Sequence, residues 1–75
     1  MTNLKLNASF LRAKDLRAKR ARLLDAFDIL KSNVSFGIIE LSEKEHAYII
    51  SWYKLVLDLD EYSIKNPPNL IAQYL

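Results

Sequence analysis

The sequence predicts a small all-α protein: a helical hairpin of two long helices, at about residues 8–34 and 43–60, closed by a short C-terminal helix at about 67–74. Three observations carry this. No proline or glycine falls between Ala8 and Val34, where the strong helix formers Ala, Leu, Arg and Lys dominate. Ser42-Glu43-Lys44-Glu45 has the form of a capping box and opens a second apolar-rich segment. Asn66-Pro67-Pro68 carries the signal of a third helix start.

Taking the elements in order, residues 1–7 precede the first helix and are expected to be disordered. Along that helix Leu16, Leu23, Leu24, Phe27, Leu30 and Val34 form a stripe about 120° wide, the pattern of a helix packed on one side. Arg20 lies inside the stripe. Its stem is expected to cover apolar surface while the guanidinium reaches water, the alternative being an ion pair with Asp58 or Asp60. Gly37, the only glycine, suits a left-handed turn and ends the helix. Ile38-Ile39-Glu40-Leu41 is β-branched but has no second strand to pair with, so it reads as a connection against the core.

In the second helix the Ser42 hydroxyl is placed to accept from the Glu45 N–H, while the Glu45 carboxylate accepts from the Ser42 N–H. Ile49, Ile50, Trp52, Tyr53, Val56, Leu57 and Leu59 then spread over about half the circumference, opposite Ala47, Ser51, Lys54 and Asp58. One partner helix cannot cover such an arc, so a third contact is required, from the C-terminal segment or from another subunit. Trp52, central in the arc, is expected in the core or an interface. Near the C-terminus Asn66 is read as the cap and Pro67 as the first helical residue, with Leu70, Ile71 and Tyr74 along one apolar edge.

Seventy-five residues allow a single domain, 1–75, of a size that buries only roughly 60% of its unfolded surface. The chain is 51% apolar, above the common range of about 45–50%, which leaves apolar side chain over for a partner. Without cysteine there is no disulfide and no thiolate metal site. Lys44, Glu45, Lys54 and Asp58 interrupt the longest apolar stretches well short of the roughly 20 residues of a membrane span. No secretory signal pattern opens the chain, so a soluble, cytoplasmic protein is expected.

The inventory of chemistry is short. His46 is the only histidine and has no cysteine or activated serine to serve. Glu43 and His46 are three residues apart, but two ligands do not hold a metal. Asp25 and Asp28, and Asp58, Asp60 and Glu61, read as solvated faces in a chain too small for a deep cleft around them. A single glycine cannot build a phosphate-cradling loop. The expectation is a protein that is not an enzyme, with no catalytic residues, cofactor or metal.

Charge is unevenly distributed. Residues 1–22 hold seven Lys/Arg against Asp15, whereas residues 23–75 hold four Lys against eight acids. Arg12, Arg17, Lys19, Arg20 and Arg22, with Lys14, supply enough charge for phosphate contacts, so a basic helical DNA-binding regulator is one alternative. These residues surround the helix axis, however, and alternate with Ala where a DNA-reading helix presents short polar side chains on one side. The charge pattern equally suits a basic helix packing beside an acidic one, within the fold or in a neighbouring copy.

The order Arg17-Ala18-Lys19-Arg20-Ala21-Arg22-Leu23-Leu24, Asp28, Leu41-Ser42-Glu43-Lys44, Trp52-Tyr53-Lys54 with Leu57 and Leu59, and Pro67-Pro68 resembles the small tail-assembly proteins of tailed bacteriophages and prophages. The similarity covers about Arg17 to Leu75, with Ala21 in a place often acidic and Asp58 in one often basic. It implies a non-enzymatic accessory, chaperone-like, that binds a phage tail or tail-fibre structural protein in the bacterial host cytoplasm. A small permanent component of the virion is the alternative within that family. The surplus apolar face assigns partner binding, and homo-oligomer formation, to Trp52, Tyr53, Val56, Leu70, Ile71 and Tyr74.

Overall fold

A computed structural model of the chain describes residues 4–75, with side chains from residue 12 onward. All regular structure among the described residues is helical: α1 (Leu4–Ser35), α2 (Glu43–Leu57), α3 (Glu61–Lys65) and α4 (Asn69–Ala72). The first helix starts earlier than its sequence signals suggest, so residues 4–7, expected to be disordered, are helical. Residues 1–3 of that expectation lie outside the described residues.

The end of α1 follows from Gly37. Its φ of 74° turns the chain so that the Gly37 N–H donates to the Val34 carbonyl at 3.1 Å and the Ile38 N–H to the Asn33 carbonyl at 2.9 Å. Two carbonyls that the helix end would leave without partners are thereby satisfied. Ile39 then packs against the core while Ile38 faces solvent. The capping box forms as its sequence predicts, with Glu45 N–H to Ser42 Oγ at 3.1 Å and Ser42 N–H to Glu45 Oε1 at 3.0 Å.

From the end of α2 the chain departs from expectation. The helix stops at Leu57 instead of running to about Asp60, because Leu59 takes the left-handed conformation at φ 60°. The same pair of bonds seen at Gly37 recurs here, Leu59 N–H to Val56 O and Asp60 N–H to Leu55 O, both at 3.0 Å. Asp60 then starts an unforeseen helix, α3, by accepting from the Ser63 N–H at 3.0 Å and the Ser63 hydroxyl at 2.7 Å. Asn66 closes α3, its side-chain amide donating to the Tyr62 carbonyl at 2.9 Å, and does not cap the helix that follows.

The terminal helix is also displaced. Pro67 precedes another proline, whose ring disfavours the helical conformation of the residue before it. Pro67 therefore cannot be the first helical residue; Pro68, extended at φ −60° and ψ 151°, takes the cap position, and α4 spans only Asn69–Ala72. Beyond it, Tyr74 is anchored to α1 by the Asn33 side-chain amide, which donates to the Tyr74 hydroxyl at 2.8 Å.

Leu16, Leu23, Ala26 and Leu30 of α1, Ile49, Trp52 and Val56 of α2, Ile64 of α3 and Ile71 of α4 make one core. Leu24, Phe27 and Val34 from the predicted stripe are only half-buried, whereas Ala26 is fully enclosed. The buried line of α1 is thus rotated toward α3 and α4. On the other side α1 meets α2 directly: Arg20 reaches Leu57 and the Phe27 and Tyr53 rings stack at 4.3 Å, so contacts run in opposite order along the two helices.

Trp52 joins two elements. Its ring is 5% exposed, and its indole N–H donates to the Ser63 carbonyl at 2.9 Å, tying α2 to α3. Trp52→Phe should cost about 1–2 kcal/mol, since it keeps apolar area but leaves that carbonyl without a donor. Trp52→Ala should cost about 3–5 kcal/mol. Urea unfolding distinguishes the two, and a Trp52→Ala protein as stable as wild type would refute the packing. At Gly37 an added Cβ meets nothing within 4 Å, so Gly37→Ala should lose only the left-handed backbone penalty of about 1–2 kcal/mol, read as a lower midpoint with an unchanged slope.

Candidate protein interface

The buried centre of α2 is Ile49, Trp52 and Val56, which leaves its apolar arc protruding on both flanks. On one flank Tyr48 (59% exposed) and Leu55, seven residues apart and so on one face, stand beside Tyr62 of α3 (76% exposed). Together with Ala47, Ser51 and the edge of Trp52 they line a groove of about 660 Å³. On the other flank Ile50, Tyr53 and His46 face Phe27, Leu30 and Val34 of α1 across a smaller seam of about 280 Å³ that also includes Leu41. Leu57 is exposed farther along the same side of α2. A third groove, of about 570 Å³, lies between Ile29 of α1 and Pro67, Tyr74 and Leu75.

The predicted partner-binding set divides by burial. Trp52, Val56 and Ile71 are 5%, 0% and 0% exposed and hold the chain's own fold; of the three only Trp52 reaches the surface, through the edge that lines the groove beside Tyr48. Tyr53, Leu70 and Tyr74 are half-buried and reach the surface: Tyr53 in the seam, Leu70 beside Pro68 and Tyr48, and Tyr74 in the groove against α1. The cause is α3, which with α4 covers the centre of α2 and leaves the edges open. Tyr48, Leu55 and Tyr62 are exposed apolar residues outside the predicted set, although the spacing of Tyr48 and Leu55 already places them together on one edge of the helix.

The basic residues of α1 divide by role. Arg12 forms a two-point contact with Glu61, its Nε–H donating to Oε1 at 3.1 Å and a terminal N–H to Oε2. Lys65 joins the same carboxylate at 3.0 Å, and Lys19 pairs with Asp15 at 3.2 Å. Arg20 finds neither water alone nor an acid: its Nη1–H donates to the Leu57 carbonyl at 3.0 Å. A cation there satisfies a carbonyl at the C-terminus of α2 and complements the negative end of the helix dipole. Arg17 and Arg22 are exposed. The set proposed for nucleic acid is therefore partly engaged in holding α1 to α2 and α3.

His46 is exposed on the first turn of α2. Among the described residues, no group of three His, Cys, Asp or Glu side chains is placed to hold a metal, and no helix is long and apolar enough to cross a membrane. Comparison of the chain with protein-family models, with curated proteins and with solved structures gave no match.

Two carboxylates are held below their ordinary range. Glu61 is lowered by its hydrogen bonds from Arg12 and Lys65, and Asp60 by the Ser63 hydroxyl and N–H; the Arg12 guanidinium is raised by Glu61 in return. A carboxylate depressed in the folded state contributes stability above its unfolded pKa and loses it as pH falls through the folded one. Thermal midpoints should therefore hold level above roughly pH 5 and drop below roughly pH 4. Asp60→Asn and Glu61→Gln should each flatten that drop. Wild-type and variant curves of equal steepness below pH 4 would show that these contacts contribute nothing.

Proposed function

We propose that this chain is a non-enzymatic accessory protein that works by binding another protein through apolar surface left over on a helical hairpin. The observation that carries the reading is the pair of open flanks on α2, one displaying Tyr48, Leu55 and Tyr62, the other Ile50, Tyr53 and Leu57. Exposed contiguous apolar surface commonly marks an interaction site, and tyrosine is enriched where binding energy concentrates. The resemblance of Arg17–Leu75 to small phage tail-assembly proteins supports a tail or tail-fibre component as the partner, met in the bacterial cytoplasm during assembly. Engagement of Arg12, Lys19 and Arg20 within the chain weighs against the DNA-binding alternative.

Tagged protein co-expressed with the products of its neighbouring genes should retain a tail or tail-fibre component through purification. Leu55→Ser with Tyr62→Ser, or Ile50→Ser with Leu57→Ser, should release it while helicity is kept. Capture of no tail component, together with a salt-dependent shift of DNA by the same preparation, would replace this reading with the regulator.

A further inference from the structure

We propose that the seam between α1 and α2 receives an amphipathic helix of the partner protein whose flanks carry carboxylates; the inference rests on the protein-binding reading above. The seam is a valley between two helices on the side away from α3 and α4. Phe27 and Tyr53 form its floor, with Ile50 and Leu41 along it. A helix laid along such a valley takes the position of a third bundle member, seating one row of side chains between two existing ridges. The lining runs from His46 to Tyr53 of α2 and from Phe27 to Val34 of α1, so the valley is about 11 Å long and seats about two turns of a docked helix.

The rim selects the occupant. Lys31 lines the seam; Arg17 and Arg20 lie on the same side of α1, and Lys54 is about 40° around α2 from Ile50. Asp28 and Glu43 are the acids on this rim, leaving cations in excess. Arg17, Lys31 and Lys54 form no ion pair with a carboxylate among the described residues. Apolar floor and cationic rim together complement a helix with a narrow apolar stripe and acidic flanks. A second copy docked seam to seam would set cationic rims against each other, since a two-fold contact presents the same patch from both sides.

The test uses the full chain, isotopically labelled, and two synthetic helical peptides. Both carry Leu at i, i+3, i+4 and i+7; one has Glu on the flanks and the other Lys. The Glu peptide should move the resonances of Phe27, Ile50 and Tyr53 and leave Tyr48 and Tyr62 in place. Lys31→Glu with Lys54→Glu should weaken it by about tenfold or more, as should raising salt from about 0.05 to 0.3 M. Because Lys31 and Lys54 are exposed, the double variant should stay folded, its melting point lowered by only a few degrees through loss of the cation in the last turn of α2. Equal binding of both peptides, shifts at Tyr48 and Tyr62, or indifference to the charge reversal would overturn the proposal. So would concentration-dependent self-association abolished by Leu57→Asp, which would make a second copy the occupant. If wild-type protein captures a tail component and the charge-reversed protein captures it equally well, the seam assignment fails while the protein-binding reading stands; if neither captures one, that reading fails.

Discussion

The apolar arc of α2 is wider than one neighbouring helix can cover, and the chain meets that demand by reversing direction at Leu59. A left-handed conformation at a residue with a branched side chain costs about 1–2 kcal/mol. Leu59 recovers it in two ways: its side chain packs against the core, and its N–H, with that of Asp60, satisfies carbonyls at the end of α2. The reversal brings Ser63 under the Trp52 indole and Ile64 into the core, and α4 then delivers Ile71. A glycine at this position would make the turn more easily but would supply no side chain to the seal.

How much of this was legible in the sequence depends on which residue signals each break. Gly37 announces a left-handed turn by its identity, and Ser42 with Glu45 announces a helix start by their spacing, so the end of α1 and the start of α2 are readable. Leu59 hides the same kind of turn in an apolar residue. Counted as part of the helix face, it extended α2 past its true end and concealed α3, although Asp60 and Ser63 sit at capping distance in the sequence. Pro67 hid the start of α4 for a different reason: the restriction each proline imposes on its predecessor moves the cap two residues on, from Asn66 to Pro68.

The exposed apolar surface was legible in amount but not in place. Composition and the arc of α2 correctly imply more apolar side chain than a two-helix pairing can bury. They do not reveal that α3 covers the middle of that arc, and Trp52, Val56 and Ile71, which the pattern assigns to a partner, are all buried by the fold. What stays outside is the edge of the arc, which hydrophobic periodicity weights least. The same effect rotates the buried line of α1 toward Ala26, a residue whose small side chain fits where α3 and α4 come close.

The charge asymmetry resolves in a similar way. In the sequence Arg12 to Arg22 form a basic run and invite a polyanion as the ligand. In the fold that run is divided around the helix: Arg12 meets the carboxylate of Glu61, Lys19 an acid one turn back, and Arg20 the last turn of α2. The charge left over on the seam side comes from three separate parts of the chain, Arg17 and Lys31 on different turns of α1 and Lys54 on α2. A phosphate backbone is best met by cations in a continuous track, whereas these are set around apolar ground occupied by Phe27, Ile50 and Tyr53. Electrostatics of that kind fixes the orientation and register of an apolar contact more than it supplies the affinity, which is the ground for proposing a charged amphipathic helix over a nucleic acid.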